Sequence, residues 1–130
     1  MNIIGISAFF HDSAASLIID GKIVSAAQEE RFSRLKFDKR FPEKSIEFCL
    51  QNASLRFQDI DAVIFFEKPQ VKFNRIMENI IKYSPFTFKQ YMSALPEWVG
   101  GKLTLRNRLK KFIKRKCKNW KGKIMFSEHH

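Results

Sequence analysis

His11 and Asp12 are the first residues of the chain with side chains suited to acid–base chemistry, and they occupy an unusual place. They separate two stretches that are otherwise apolar or small, NIIGISAFF and SAASLIID. A polar pair between two predicted strands has two interpretations. Either it forms a turn whose side chains bind the backbone, or it faces a ligand. The residue types alone leave both open.

A second group of histidines, His129 and His130, ends the segment FSEHH. Adjacent histidines on a strand or helix cannot both turn to one metal without distortion, whereas histidines at i and i+4 of a helix share a face. A single imidazole holds a transition metal poorly, because selectivity needs a complete ligand set in a fixed geometry. Terminal histidines also occur as the remnant of a tag or by chance. The pair does not by itself make a metal site.

Glu29 and Glu30 form an acidic pair within AAQEERFSRLK. We interpret these carboxylates as the charged start of a helix with i,i+4 pairs such as Glu30 to Arg34. Paired glutamates can also act as acid and base, but adjacent residues on a strand point to opposite faces. We therefore do not propose a carboxylate dyad.

The elements that must position these residues begin with three short predicted strands, NIIGISAF, SAASLIID and GKIVSAAQ. Asp20-Gly21 joins the second and third and is a strong hairpin signal. PEKSIEFCLQNAS predicts an amphipathic helix with Pro42 at its entry. IDAVIFFEKP predicts a fourth strand that is apolar on both faces, which is typical of a central strand. GKIMFSEHH predicts a fifth.

The segment between the last two strands is predicted to be helical. It is aromatic-rich over about 71–95, and a basic stretch after Gly101 then places apolar residues on one stripe of a helix. That stripe consists of Leu105, Leu109, Phe112 and Ile113. We predict a single α/β domain with a mixed sheet of about five strands and a helical insertion over about 71–118.

The composition narrows the class of protein. The chain has 130 residues, of which 45% are hydrophobic, enough for one core. Cys49 and Cys117 lie in unlike surroundings, which favours free thiols in a reducing compartment. No Lys or Arg precedes Lys22, and no apolar run approaches the ~18 to 20 residues of a membrane span. We expect a soluble cytoplasmic protein without a membrane partner.

The net charge of +11 is concentrated in one segment. Residues 101–130 hold eleven Lys and Arg against the single acid Glu128, so the rest of the chain is close to neutral. One interpretation is a solvated helix whose basic side chains cover the edge of the domain. The other is a surface over 102–123 that binds phosphates or another polyanion. We favour the first and do not expect nucleic acid as the partner.

One longer stretch resembles a known family. GISAFFHDSAASLIIDGKIVSAAQEERFSRLKFDKRFP is similar to the N-terminal signature of the carbamoyltransferases of the nodulation and antibiotic-biosynthesis type. That signature is a strand, H-D-S-A-A, a hairpin, A-x-Q-E-E-R-F-[ST]-R-x-K and R-F-P. FSEHH resembles the start of a second family motif, H-H-x-x-H, which supplies metal ligands. One departure is Phe37, which stands where the family often has His.

The resemblance implies a fold and a reaction. The fold is an RNase-H-like domain of the actin and sugar-kinase kind, which would be incomplete here. In the reaction, carbamoyl phosphate and ATP form a carbamoyl-adenylate, and the carbamoyl group passes to a hydroxyl of a small molecule at a site with a divalent, iron-type metal. The implied partners are therefore carbamoyl phosphate and a small hydroxyl acceptor.

The resemblance also assigns roles to individual residues. His11 is of the right type to take the proton of the acceptor hydroxyl, with a reference pKa near ~6.5. Lys36 is a compact cation that can stabilise developing negative charge, and Asp12 would orient the loop. His129 corresponds to the first metal ligand, and the second would come four residues later. The competing interpretation remains a polar turn at His11 and surface charge at Lys36.

On this likeness the chain is the front portion of a longer enzyme. We expect it to be inactive alone, and we expect neither the metal nor ATP to bind it tightly. The missing C-terminal portion, as a separate chain, is a further expected partner. The alternative is a small basic module that binds phosphates or nucleic acid with residues 102–123.

Overall fold

A computed structural model describes residues 1–9, 12–66, 78, 81–82 and 105–127. The chain divides into two compact units, one formed by Met1–Glu67 with Ile113–His130 and the other by Lys68–Phe112. The first unit contains the sheet. In the second, the described residues are Glu78, Ile81, Lys82 and the beginning of one helix that continues into the first unit. Most of the insertion predicted over 71–118 thus lies outside the described residues.

The sheet has five strands in the order β3-β2-β1-β4-β5. Their bounds are Asn2–Ser7 for β1, Ala14–Ile19 for β2, Lys22–Gln28 for β3, Ala62–Phe65 for β4 and Lys123–Phe126 for β5. The first three pair antiparallel, whereas β1 with β4 and β4 with β5 pair parallel. This confirms the predicted α/β class and the mixed five-stranded sheet of the RNase-H-like expectation. The fourth strand is an inner strand, as its apolar sequence predicted.

The hairpin between β2 and β3 forms where Asp20-Gly21 predicts it. Both residues have positive φ, 48° at Asp20 and 81° at Gly21, which suits a tight turn that matches the twist of the flanking strands. The ammonium group of Met1 pairs with the carboxylate of Asp20 and so joins the start of β1 to this turn.

One face of the sheet, here called the packed face, carries most of the core. Alternation along the strands places there a set of side chains that are almost completely buried. The set consists of Ile4, Ile6, Leu17, Val63 and Phe65. Helix α2, Glu43–Asn52, lies against this face, since the Cys49 thiol contacts the carbonyl oxygen of Ala15 at 3.6 Å and the Ser25 hydroxyl donates to the carbonyl of Cys49.

Two further helices have their bounds within the described residues. Helix α1, Glu30–Ser33, is one turn directly after β3, and helix α3, Leu105–Lys116, precedes β5. The end of α3 contacts α2, because Arg115 and Lys116 form ion pairs with Glu43 and Glu47. The basic helix predicted from the sequence is therefore present. None of the helices in the described part of the chain is long and apolar enough to cross a membrane.

Candidate functional site

The described strands bring the candidate segments toward one edge of the sheet. β1, β4 and β5 are parallel, so their carboxyl ends meet at the same edge, where ligands of α/β sheets commonly bind. Further hydrogen bonds extend this edge: the N–H of Phe66 donates to Ile6 and that of Ser127 to Phe65. His11, His129 and His130 themselves lie outside the described residues. Their roles stay predictions.

Two backbone hydrogen bonds join the segment after β1 to the segment that follows Lys36. The N–H of Phe9 donates to the carbonyl oxygen of Lys39 at 2.8 Å, and that of Ser13 donates to Asp38 at 2.8 Å. Asp12, half-buried, lies between these two bonds in the chain. The structure thus brings together the two segments that carry the candidate residues, although they are far apart in sequence.

Lys36 lies on the exposed part of this paired loop. Its ammonium nitrogen is 5.7 Å from the ring centroid of Phe37, whose side chain is 66% exposed. A cation in that position is hydrated and accessible, which suits contact with an anionic group of a ligand. A surface lysine has the same surroundings, so the geometry agrees with both interpretations of Lys36.

The paired loops hold residues in an uncommon backbone conformation. Phe9, Arg34 and Phe37 have φ values of 70°, 59° and 56°, in the left-handed region that large side chains rarely adopt. Each such residue costs on the order of 1–3 kcal/mol and persists only where its surroundings fix it. At Phe37 the N–H donates to the Glu30 carboxylate at 3.3 Å. This clustering of strain marks the loops as a candidate site.

Asp38 fixes the turn that carries the partner segment. Its buried carboxylate accepts two bonds from the Arg40 guanidinium, at 2.9 and 2.7 Å, and one from the Arg40 N–H at 3.1 Å. These bonds to Arg40 hold the pKa of Asp38 well below its usual range. Sequence reasoning did not single out Asp38. A carboxylate two residues before an arginine was the available signal.

Glu29 is buried, which the sequence-based interpretation of the acidic pair missed. Its carboxylate accepts hydrogen bonds from the N–H and hydroxyl of Ser45, at 2.9 and 2.8 Å, and from the N–H of Lys44 at 3.3 Å. These donors belong to the first turn of α2, whose N–H groups lack partners within the helix. Glu29 does stand at the start of α1, but its carboxylate caps α2.

The suggested pair of Glu30 with Arg34 is also replaced by another arrangement. Arg34 ends α1 in the left-handed conformation, and its N–H donates to the carbonyl oxygen of Glu30. The Glu30 carboxylate accepts instead from the N–H of Phe37. The acidic pair therefore organises two different segments rather than one helix surface.

Ser13 occupies the centre of this buried polar region. Its N–H donates to Asp38 and its carbonyl oxygen accepts from the N–H of Glu29, both at 2.8 Å. Its hydroxyl is buried and has no hydrogen-bond partner among the described residues. A buried hydroxyl without a partner costs about 1–3 kcal/mol. Among the described residues, the Ser13 hydroxyl is thus a buried hydrogen-bonding group without a partner, next to Asp12 in the sequence.

The described residues contain no group of three or more His, Cys, Asp and Glu side chains placed to hold a metal ion. Both cysteines are free thiols, as predicted. Cys49 lies in the core, where burial raises the pKa of its thiol. In the part of the chain that the structure describes, the site offers hydrogen-bonding and charged groups rather than a metal centre.

Comparison with known proteins places the chain in a class. The family model described as "Carbamoyltransferase N-terminus" matches residues 2–130. The chain belongs to this family of carbamoyltransferase N-terminal domains. The resemblance drawn from HDSAA, QEERFSRLK and the closing histidines is thereby confirmed.

Three relatives add detail. The uncharacterized protein sll1178 of Synechocystis is 41% identical over 132 residues, which cover 99% of this chain and 22% of that protein. The nodulation protein NolNO of Sinorhizobium fredii is 38% identical over 60 residues, or 46% of this chain and 9% of that protein. An uncharacterized 19.2 kDa protein of Rhizobium etli is 31% identical over 74% of this chain and 56% of its own length. The chain thus spans about a fifth of the Synechocystis relative.

Proposed function

We propose that this chain is the N-terminal portion of an O-carbamoyltransferase and supplies the acceptor side of its transfer site. In the complete enzyme, carbamoyl phosphate and ATP give a carbamoyl-adenylate, whose carbamoyl group passes to a hydroxyl of a small molecule. Membership of the carbamoyltransferase N-terminal family supports carbamoyl transfer in general. The adenylate route and the hydroxyl acceptor rest on the likeness of the motifs.

The observation that carries the proposal is the backbone pairing of the two motif segments. Phe9 with Lys39 and Ser13 with Asp38 hold the loop of H-D-S-A-A against the loop that contains K-F-D. These loops follow different strands, and both contain residues in strained conformations. Two such loops locked together are suited to present side chains to a reacting group with little reorganisation.

The roles follow from the chemistry of the transfer. Attack of the acceptor oxygen on the carbamoyl carbon releases the hydroxyl proton, which His11 takes. Lys36 lies close to the charge that develops on the carbonyl oxygen or the departing phosphate. Asp12, which lies between the two backbone hydrogen bonds in the sequence, orients the loop. AMP is the leaving group, since the bond between its phosphate oxygen and the carbamoyl carbon breaks.

The metal does not fit the described residues, since they contain no candidate ligand cluster. His129 is proposed as one ligand of a divalent, iron-type metal in the complete enzyme, with the others supplied beyond this chain. We derive no step through that metal. ATP likewise belongs to the part that makes the adenylate, and neither cofactor is expected to bind this chain tightly. The chain alone is proposed to be inactive and to act in the cytoplasm.

A second candidate function is a basic surface that binds phosphates. Lys114, Lys118, Lys121 and Lys123 are exposed, and no ion pair involves them in the described part of the chain. Arg115 and Lys116 instead bind acidic groups of α2, which favours a structural use of part of this charge. A salt titration of binding to single-stranded and duplex nucleic acid separates the two functions: a steep slope independent of sequence supports the basic surface.

The test of the transferase proposal is a chimera in which this chain replaces the matched region of the Synechocystis relative. Labelled carbamoyl phosphate, ATP and a panel of hydroxyl compounds reveal transfer, and adenylate formation is measured separately. His11→Ala and Lys36→Ala are each expected to lower transfer by about 10²- to 10⁴-fold while adenylate formation continues. Lys22→Ala, an exposed lysine at the far end of the sheet, is the matched control.

Two results would contradict the assigned roles. If His11→Ala left transfer unchanged but lowered the unfolding midpoint, the polar-turn interpretation of His11 would be correct. If Lys36→Ala behaved like Lys22→Ala, Lys36 would be a surface charge without a role in transfer.

A further inference from the structure

The loop after α1 places two large apolar side chains in solvent. Leu35 and Phe37 are each more than half exposed, on either side of Lys36 in the chain. A single exposed apolar residue is ordinary on a protein surface. Phe37 differs because its backbone is also held in the left-handed conformation, with a φ of 56°. Packing does not explain an exposed ring on a backbone conformation that is unfavourable for a large side chain.

Hydrogen bonds on both sides fix this backbone conformation. The N–H of Phe37 donates to the Glu30 carboxylate at 3.3 Å, and the carboxylate of the next residue, Asp38, binds the Arg40 guanidinium. The carbonyl oxygen of Asp38 also accepts from the N–H of Ser13 at 2.8 Å. Strained residues that their surroundings fix in this way cluster at ligand sites. The Phe37 ring is therefore presented to solvent from a fixed backbone.

The ring lies beside a group that we assign to the transfer site. The ammonium nitrogen of Lys36 is 5.7 Å from the centroid of the Phe37 ring. The bond from Ser13 to Asp38 holds the same loop against the segment that contains Asp12. A compound that contacts the Phe37 ring is thus next to Lys36, the cation that we propose to stabilise the charge developing during transfer.

The charge around the ring is positive. Residues 30–40 include five basic residues and two acidic ones. Arg31, Arg34 and Lys36 are exposed, and no ion pair involves them in the described part of the chain. A surface with an excess of positive charge attracts anions and repels cations. The surroundings of Phe37 therefore favour a neutral or anionic ligand over a cationic one.

We propose that Phe37 contacts the acceptor and selects a hydroxyl compound that carries an apolar ring and no positive charge. This inference rests on the proposed transfer function and names the chemical class of its acceptor. The ring of the acceptor packs against the exposed part of the Phe37 ring, since aromatic surfaces gain from such contact beyond the area they bury. Its hydroxyl arm extends toward Lys36. A cationic acceptor is disfavoured by the basic side chains of the same loop.

Titration of this chain with simple alcohols tests the contact without any transfer. Amide NMR spectra follow the N–H signals of Lys36, Phe37 and Asp38, which report on this loop alone. Benzyl alcohol is expected to shift these signals to saturation, whereas ethanol at the same concentrations, which lacks a ring, is not. The aminomethyl derivative of benzyl alcohol is cationic at neutral pH and is expected to bind at least about threefold more weakly than benzyl alcohol.

Variants of Phe37 separate the ring from the backbone that holds it. Phe37→Gly removes the ring and suits the positive φ, so the loop is retained; the Kd for benzyl alcohol, measured on the Lys36 and Asp38 signals, is expected to rise at least about threefold. Phe37→Tyr keeps the ring and is expected to leave the Kd within about twofold. Ile23→Ala shortens another exposed apolar side chain, at the hairpin end of β3, and is the matched control without an effect.

The chimera with the Synechocystis relative then tests selection during transfer. Phe37→Gly is expected to lower the ratio of kcat/KM for benzyl alcohol to that for ethanol at least about threefold, while adenylate formation continues.

Three results would overturn the inference about Phe37. They are no saturable shift with benzyl alcohol, a Kd or a selectivity ratio that Phe37→Gly leaves unchanged, and tighter binding of the cationic derivative. The expected shifts without transfer to any alcohol would instead support the ring contact and refute the proposed transfer function, so the two failures are distinguishable.

Discussion

Replacement of Glu29 by alanine is expected to destabilise the sheet unit far more than the same replacement of an exposed glutamate would. The carboxylate is 5% exposed and accepts two short bonds from Ser45 and a longer one from Lys44. A hydrogen bond to a charged group contributes about 1.5–3 kcal/mol, so the two short bonds predict a loss of about 3 kcal/mol at the lower value. Glu29→Gln keeps one acceptor oxygen and is expected to cost about 1 kcal/mol.

Urea unfolding followed by circular dichroism measures this prediction, with an unchanged slope and a lower midpoint as the expected result. Glu30→Ala is the matched control, because this neighbouring carboxylate makes one long bond to the N–H of Phe37. Its cost is expected to stay below about 1 kcal/mol. The reasoning would be refuted if Glu29→Ala cost no more than Glu30→Ala, since the capping bonds would then contribute little.

Three further changes test other features of the site and sheet. The free energy of unfolding lost in Asp38→Asn is expected to be largest above about pH 4 and to shrink at lower pH, because Arg40 lowers the pKa of Asp38 in the folded state. Urea unfolding at several pH values measures this loss, and a loss that does not change with pH would contradict the prediction. Because φ is 56° at Phe37, Phe37→Gly should be neutral or stabilising by up to about 1 kcal/mol, whereas Phe37→Val should be destabilising. Equal melting temperatures of these two variants would count against backbone strain at this position. Gly5→Ala should cost about 1–3 kcal/mol, and Ser16→Ala in the same chain should recover part of that loss in a double-mutant cycle.

The sequence predicts the local parts of the fold well, because their signals lie within a few residues. Asp20-Gly21 specifies the hairpin through the backbone conformations its turn requires. The apolar run of β4 indicates an inner strand, since side chains on both of its faces are removed from water. The resemblance to the family adds the class of reaction, which no periodicity indicates.

The organisation of the site is less predictable, because its contacts are long-range and partly independent of side chains. The bonds from Phe9 to Lys39 and from Ser13 to Asp38 join backbone groups and have no signature in residue type. Glu29 seemed an ordinary helix charge because its partner Ser45 comes sixteen positions later. His11 and His129 lie outside the described residues, so their roles remain predictions.

The separation in sequence of the paired strands has a consequence for how the domain forms. β1, β2 and β3 pair with their neighbours along the chain, whereas Ile3 must find Ala62, and Ala62 must find Lys123, across long intervening segments. Closing long loops slows folding, because their entropy is lost before the contacts form. During synthesis the three-stranded meander of β1, β2 and β3 can assemble early, whereas the parallel part of the sheet cannot be completed until β5 has left the ribosome. Until then β4 has an unpaired edge, and this nascent stage is when the chain most needs protection from aggregation.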